Sequence, residues 1–401
     1  MMLRKLTIRQ FKAYSRAEDI PFEGLTVLIG ANGSGKTTIL QAIQLLGGLV
    51  QGSLSEYLKD VGMEYRDLPH NLGGKLRFGI DAVFGSGEDL RWSVDLETRF
   101  RPGIHAESVV RTVPASRPRA APEERELLHR EGRQMWRLDV KTHRTEKIQQ
   151  TLASSWLAAL ADAPKKERER FPDLAALSHW AMGVRSYAFD PGALRSTQRT
   201  SGDADVTDIG IAGDRLAPFL GALKRRDPDG FERVIERVRR CYPRLRAVTV
   251  KKGSYGWQTL FVTEQWGSKA IPFNARQVSD GLLRLLAISA MHELESPPSV
   301  ILIDELENGL HPHLLGGLIQ MLQSLVDGSR GQTQVIFTTH SPIALNFVNR
   351  MEQVLLVSRR SNGVAKITPL ADLPKAQKLR DQQMDLGEIW YNLGDTRLVA
   401  G

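Results

Sequence analysis

Gly30-Ala31-Asn32-Gly33-Ser34-Gly35-Lys36-Thr37 is the stretch that decides how this chain folds. Its glycines let backbone N–H groups converge on phosphate oxygens, an approach that side chains would block. Upstream, Leu25 to Ile29 is a continuous apolar run, as in a strand covered on both faces. Downstream, Thr37 to Leu46 reads as a helix with Ile39, Leu40, Ile43 and Leu46 on one side. A helix beginning at Lys36 adds the positive end of its dipole. A glycine loop between a buried strand and a helix is the context that separates a phosphate-binding loop from an ordinary turn. ATP and Mg²⁺ are the implied ligands. Lys36 is expected to reach the β/γ-phosphates and the Thr37 hydroxyl to ligate the metal. Asn32, Gly33, Ser34, Gly35 and Thr38 complete the expected nucleotide contacts.

A second segment supplies the acids such a site needs. Val300-Ile301-Leu302-Ile303 is another buried-type strand, and it ends in Asp304-Glu305. Asp304 is placed for Mg²⁺. Glu305 follows where a base or water-orienting group would stand beside the γ-phosphate.

Strands alternating with helices indicate an α/β protein with a mostly parallel sheet. Leu3, Leu6 and Ile8 alternate over residues 2–9 in a half-buried strand, and Phe11 to Tyr14 reads as a turn. Leu76 to Phe84 and Leu90 to Phe100 form a hairpin pattern across Gly85 to Asp89. Residues 101–135 are Pro/Arg-rich and weakly patterned, and are expected to be an exposed insertion. Helices are expected near 147–162, 171–183, 213–225 and 229–241, with a polar loop over 196–212. Strands follow near 246–252 and 258–264. Towards the end come a helix at 280–294, one from Pro312 to Val326, the strand Gln334 to Thr338, a helix at 342–349 and the strand Gln353 to Val357. Three divisions follow: an ATPase core from 1–50 and 240–401, an antiparallel β lobe with a basic insertion at 51–149, and a helical insertion at 150–239.

The chain has 401 residues and a formal charge of +8. Its length allows one large domain or two to three ordinary ones. Two basic stretches, Arg99 to Lys147 and Lys224 to Lys252, invite contact with a polyanion, against the plainer reading of a solvated surface partly neutralised by Glu123, Glu124, Glu126, Glu232 and Glu236. The single cysteine, Cys241, excludes an internal disulfide and any multi-cysteine metal site, and is expected to serve packing. No apolar run reaches the roughly 18–20 residues of a membrane span, and the start does not read as a secretory signal. The expected compartment is the cytoplasm, with no membrane partner.

Taken together, these segments resemble the ABC-type ATPase heads of the SMC/RecF/OLD class, in particular its compact AAA-type members, as found in bacterial anti-phage defence systems. The resemblance covers roughly 1–50, 240–360 and the tail Leu386 to Trp390. Val278-Ser279-Asp280-Gly281 looks like the ABC signature, which reads the γ-phosphate bound to the opposite subunit. Ser279 and Gly281 match it, while Asp280 departs from the Ser-Gly-Gly of transporters. Glu307 to Pro312 looks like the segment that crosses the dimer interface. Thr338-Thr339-His340-Ser341-Pro342 looks like the switch segment, which implies that His340 lies near the γ-phosphate. Phe11-Lys12 resembles the N-terminal turn whose basic residue, here Lys12, approaches the nucleotide. For the glutamine loop, Gln149 or Gln150 and the strand end Tyr187 to Asp190 stand as equal candidates.

The resemblance implies an ATP-dependent homodimer or higher oligomer, in which ATP is an interfacial ligand and hydrolysis resets the pair. Three functions compete. One is a DNA-linked ATPase of repair or anti-phage defence, binding DNA or another nucleic acid. The chain ends soon after its last core strand, so its effector, such as a nuclease, is expected on a separate protein. The second is the ATP-binding subunit of a transporter, and the third an ATP-dependent structural scaffold.

Overall fold

The structure, a computed structural model, describes residues 1–70, 77–85, 89–98, 103–113, 122–132, 134–148, 154–199 and 206–391. It divides into two compact units. Of the described residues, one comprises those within Met1–Arg185 and Arg350–Lys378; the other comprises those within Ser186–Asn349 and 379–391.

Leu25–Ile29 is buried at every position, as its unbroken apolar run requires. In the first unit it runs parallel to Val354–Arg359, with Val27 opposite Val354 and Ile29 opposite Leu356. Val354–Arg359 in turn pairs antiparallel with Ala365–Pro369. The helix Lys36–Gln51 leaves the glycine loop and buries Ile39, Leu40, Ile43 and Leu46. Next to it stands the helix Pro172–Met182: Gly47 has no side chain because a Cβ there would meet Val184 at 2.9 Å and the Ala181 carbonyl at 3.1 Å.

The same unit carries an eight-stranded antiparallel sheet. Its spatial order is Glu18–Pro21, Met2–Arg9, Arg77–Gly85, Asp89–Glu97, Gly103–Val113, Glu123–Glu131, Gln134–Asp139 and Arg144–Lys147. The stretch expected to be a weakly patterned insertion therefore contains two of the sheet's long strands. Most residues of Gly103–Val113 are half-buried, so no clean apolar alternation marks it. Its polar residues find distant partners instead. Glu107 is fully buried, where it accepts from Trp92 Nε1 at 3.0 Å and from the Trp156 N–H at 3.2 Å. Burial pushes its carboxyl up, partly offset by bonds from Ser155 and Trp156 and by the nearby Arg130.

In the second unit Val300–Ile303 runs parallel to Gln334–Thr338, with Ile303 opposite Phe337. The helix Pro312–Gly328 connects them, starting with proline at its first turn, where a missing N–H costs nothing. The helix Pro228–Cys241 buries Phe231, Val234, Ile235 and Val238, a one-sided stripe. Cys241 lies against Gly317, where an added Cβ would come within 2.2 Å of its sulfur. A small antiparallel sheet completes the unit, in the order Gln198–Arg199, Trp257–Trp266, Leu245–Lys252, with Lys269–Asn274 on Trp257–Trp266. Among the described residues no helix is long and apolar enough to cross a membrane.

Candidate nucleotide-binding site

The first unit builds the phosphate loop. Gly30, Gly33 and Gly35 have φ of 145°, 73° and 116°, a region that glycine enters without penalty. Gly30 is also closely overlaid: a Cβ would lie 2.0 Å from the Val357 carbonyl oxygen. Gly33, at the exposed tip, has nothing within 4 Å. Gly35 caps the following helix with no side-chain hydrogen bond, and the helix's first turn carries no acid. The dipole at that start favours an anion. Lys36 is buried and folds back over the loop, donating to the carbonyls of Gly30 at 2.9 Å and Ala31 at 3.0 Å. Thr37 is exposed and Thr38 buried. Ser34 Oγ is buried with no hydrogen-bond partner.

Two residues from elsewhere in the chain brace the loop. Tyr14 donates to the Gly35 carbonyl at 3.2 Å. Burial, reinforced by Glu18, raises its pKa and keeps that phenol a donor. Arg359 Nε donates to the Gly33 carbonyl at 2.7 Å.

Lys12 sits in the turn after the first strand with φ 45°, where Phe11 and Tyr14 exchange backbone bonds. Its ammonium donates to Gln41 Oε1 at 2.8 Å, on the helix that leaves the loop, and approaches Met63 Sδ at 2.9 Å. Burial lowers its pKa, opposed by Asp67.

The second unit builds a carboxylate cluster at the ends of its parallel strands. Asp304 and Glu305 are exposed directly after four buried aliphatics. The Thr338 hydroxyl donates to Asp304 Oδ1 at 2.6 Å and accepts from the Glu305 N–H at 2.7 Å. Glu305 has φ 49°, a costly conformation for a residue with a Cβ. Glu307 Oε1 accepts from the His340 N–H at 2.5 Å, which ties the switch-like segment to the acidic one. Ser279 is exposed and caps the helix Asp280–Ala290, its Oγ accepting from the Leu282 N–H at 3.4 Å. Gly281 packs flat: a Cβ would lie 2.9 Å from Leu314 and 3.4 Å from Leu310. Asp280 pairs with Arg195 at 2.8 Å. Arg284 donates to the Phe189 carbonyl at 3.2 Å, and burial lowers its pKa, opposed by Asp280.

These residues fit ATP and Mg²⁺. The buried Ser34 Oγ has no hydrogen-bond partner, and the helix start carries neither a side-chain cap nor an acid. Among the described residues no group of three or more His, Cys, Asp or Glu could hold a metal. Mg²⁺ keeps waters and takes phosphate oxygens as ligands, so it does not need such a group.

The profile described as "AAA domain, putative AbiEii toxin, Type IV TA system" matches residues 137–346. The chain belongs to this AAA domain family. A second profile, "AAA ATPase domain", matches residues 1–113. The AAA chain is 47% identical over 47 residues to the DNA replication and repair protein RecF of Vibrio atlanticus, covering 12% of this chain and 13% of that protein. It is 22% identical over 375 residues to the OLD nuclease of Thermus scotoductus, covering 89% of this chain and 62% of that protein. The chain thus spans less than two thirds of either relative. Among solved structures, an SMC head bound to the C-winged helix domain of ScpA superposes with a TM-score of 0.56 at 15% identity, covering 92% of this chain and 98% of that one. The AAA chain has the fold of an SMC/RecF/OLD-class ATPase head.

Within the AAA chain, the loop residues Asn32 to Thr38 form one cluster in the first unit. Ser279, Gly281, Asp304, Glu305 and His340 belong to a second, contiguous set in the other unit, linked through Leu310, Glu307 and Thr338. Four bracing residues escaped sequence reading: Tyr14, Arg359, Thr338 and the carboxylate of Glu307. The last two stand inside motifs that were read, and a strand-end threonine opposite an acid is their signal. Of the glutamine-loop candidates, Gln149 and Gln150 lie outside the described residues. Asp190 caps the short helix Pro191–Arg195, accepting from the Ala193 N–H at 2.7 Å.

Several residues of the basic runs are matched in place. Arg111 pairs with Asp173, Arg137 with Glu146 and Glu167, and Lys141 with Glu169. Arg226 pairs with Glu295, and both Arg233 and Arg237 pair with Glu293.

Proposed function

We propose that this chain is an ATP-hydrolysing head that closes on a second copy around two ATP molecules and couples that closure to nucleic acid. The observation that carries the reading is the phosphate loop: it is braced by Tyr14 and Arg359, its helix starts with no side-chain cap and no acid, and the buried Ser34 Oγ within it has no partner. Lys36 exchanges its two carbonyl partners for phosphate oxygens. The Thr37 hydroxyl and Asp304 hold Mg²⁺, which, when bound, neutralises charge on the phosphates. Glu305 orients the attacking water, with His340 beside it. Lys12 stays with the loop helix as an auxiliary cation. Ser279 and Gly281 of one copy meet the γ-phosphate held by the other. The exposure of Ser279 at a helix start supports that role.

The similarity to RecF and to an OLD nuclease supports a DNA-linked role in repair or anti-phage defence, with a nuclease as the effector. Phosphate release by the purified protein, with and without DNA, tests the reading. Lys36→Ala is expected to abolish nucleotide binding and turnover. Wild-type nucleotide affinity in that variant contradicts it.

A further inference from the structure

We infer that the outer face of the small antiparallel sheet in the second unit binds single-stranded nucleic acid by stacking bases on Trp257 and Phe261. The inference rests on the nucleic-acid reading above and gives it a location.

Along Trp257–Trp266 burial alternates strictly: Gln258, Leu260, Val262 and Glu264 face inward, while Thr259 and Phe261 remain half-exposed and Trp257 is 43% exposed. The inward face is covered by the helix Leu216–Arg226, whose Gly221 lies against Val250 and Gln258. On the outward face Arg199, Thr249, Lys251 and Trp257 are exposed. The register places Arg199 opposite Trp257 and Lys251 opposite Thr259. The Lys251 ammonium stands 4.3 Å from the centre of the Phe261 ring, and the Arg199 guanidinium 6.0 Å from that of Trp257. Tyr255, at the turn between the two long strands, is 86% exposed, and its carbonyl accepts from Arg199.

Among the described residues, no outward position of these four strands is Asp or Glu. Lys251 belongs to the second basic run, but unlike Arg226, Arg233 and Arg237 of that run it lies on a face without a carboxylate. Trp266, 45% exposed at the strand's end, differs in that its indole donates to Glu264. An exposed and a half-exposed aromatic ring beside cations, with no acid among them, suit a polyanion that offers flat, unstacked faces. Single strands do, whereas a duplex hides its base faces in the stack. Trp257 and Phe261 are four residues apart on one strand, about 13 Å along it, with Thr259 between them. The rings would supply sequence-tolerant stacking, and Lys251 and Arg199 the salt-dependent contact with phosphate.

The test uses the full chain and fluorescein-labelled oligothymidylate of about 20 nucleotides, with a duplex of equal length as comparison, followed by anisotropy. The wild type is expected to prefer the single strand. Trp257→Ala is expected to weaken binding about tenfold. Lys251→Ala is expected to weaken it and to make the dependence of log K on log salt shallower by about 0.7. Both side chains are exposed, and unchanged thermal unfolding and ATP binding would establish that the variants are folded. Unchanged affinity in both variants, or equal affinity for the duplex, overturns the assignment of this face and leaves the wider nucleic-acid reading standing. A wild type that binds neither strand form overturns both.

Discussion

The Thr338 hydroxyl stands 2.6 Å from Asp304 Oδ1, donating to it while accepting the N–H of Glu305 at 2.7 Å. One side chain at the end of a strand thus fixes the carboxylate proposed for Mg²⁺ and the backbone of the carboxylate proposed for water. Valine keeps the shape of threonine but has neither donor nor acceptor. Thr338→Val is expected to cost about 1–2 kcal/mol of stability, because it strands a partly buried N–H. Phosphate release should fall further than that loss explains, with kcat reduced more than ATP affinity. Steady-state kinetics beside thermal unfolding separates the two effects.

The glycines of the phosphate loop are not equivalent. Gly30→Ala brings a Cβ to 2.0 Å from the Val357 oxygen at φ 145°, so the loop or the strand beneath it must move. We expect a loss of about 3 kcal/mol or more, together with nucleotide binding. Gly33→Ala adds a methyl to open space at φ 73° and should cost only about 1 kcal/mol. Thermal unfolding of the pair, with and without ATP, checks the contrast.

Arg359 grips the loop's outermost glycine through one hydrogen bond while remaining exposed. Arg359→Ala should leave thermal stability nearly unchanged. It should weaken ATP binding about fivefold, the loss of one interaction of about 1 kcal/mol. Titration calorimetry measures it.

Burial, with the nearby Arg237, pushes His292 down to about 4 from the ordinary 6.5, against the opposing bond its Nε2 donates to the Met321 carbonyl. Between those values the unfolded chain takes up a proton that the folded chain refuses. Stability should therefore rise with pH through this window and fall on acidification. His292 accounts for about 2 kcal/mol between pH 7 and pH 5. His292→Gln should remove that part of the slope in denaturant titrations at the two pH values.

What the sequence made legible was whatever depends on neighbours along the chain. The loop from Gly30 to Thr37 and the strand ending in Asp304-Glu305 carry their context within a dozen residues. Ser279-Asp280-Gly281 likewise announces a helix start. Thr338 could be read as part of a motif, but its bond to Asp304 spans 34 residues and exists only through the parallel pairing of two strands. Tyr14 and Arg359 meet at one loop from opposite ends of the chain. Gly103–Val113 was hidden for a related reason. Its two faces are both half-covered, and Glu107 and Arg111 are satisfied by Trp156 and Asp173, far along the sequence. Charge counting failed in the same way: Arg237 reads as surplus until Glu293 is seen beside it.

The central claim is that nucleotide state and oligomeric state are one switch. Glu305→Gln keeps the size of the side chain and removes the carboxylate proposed to orient water, so ATP should bind and persist. Light scattering of this variant is expected to give a monomer mass without nucleotide and at least twice that mass with ATP and Mg²⁺. The double variant carrying Ser279→Arg should bind ATP and remain monomeric. A Glu305→Gln protein that binds ATP and keeps the same mass with and without it would contradict the account.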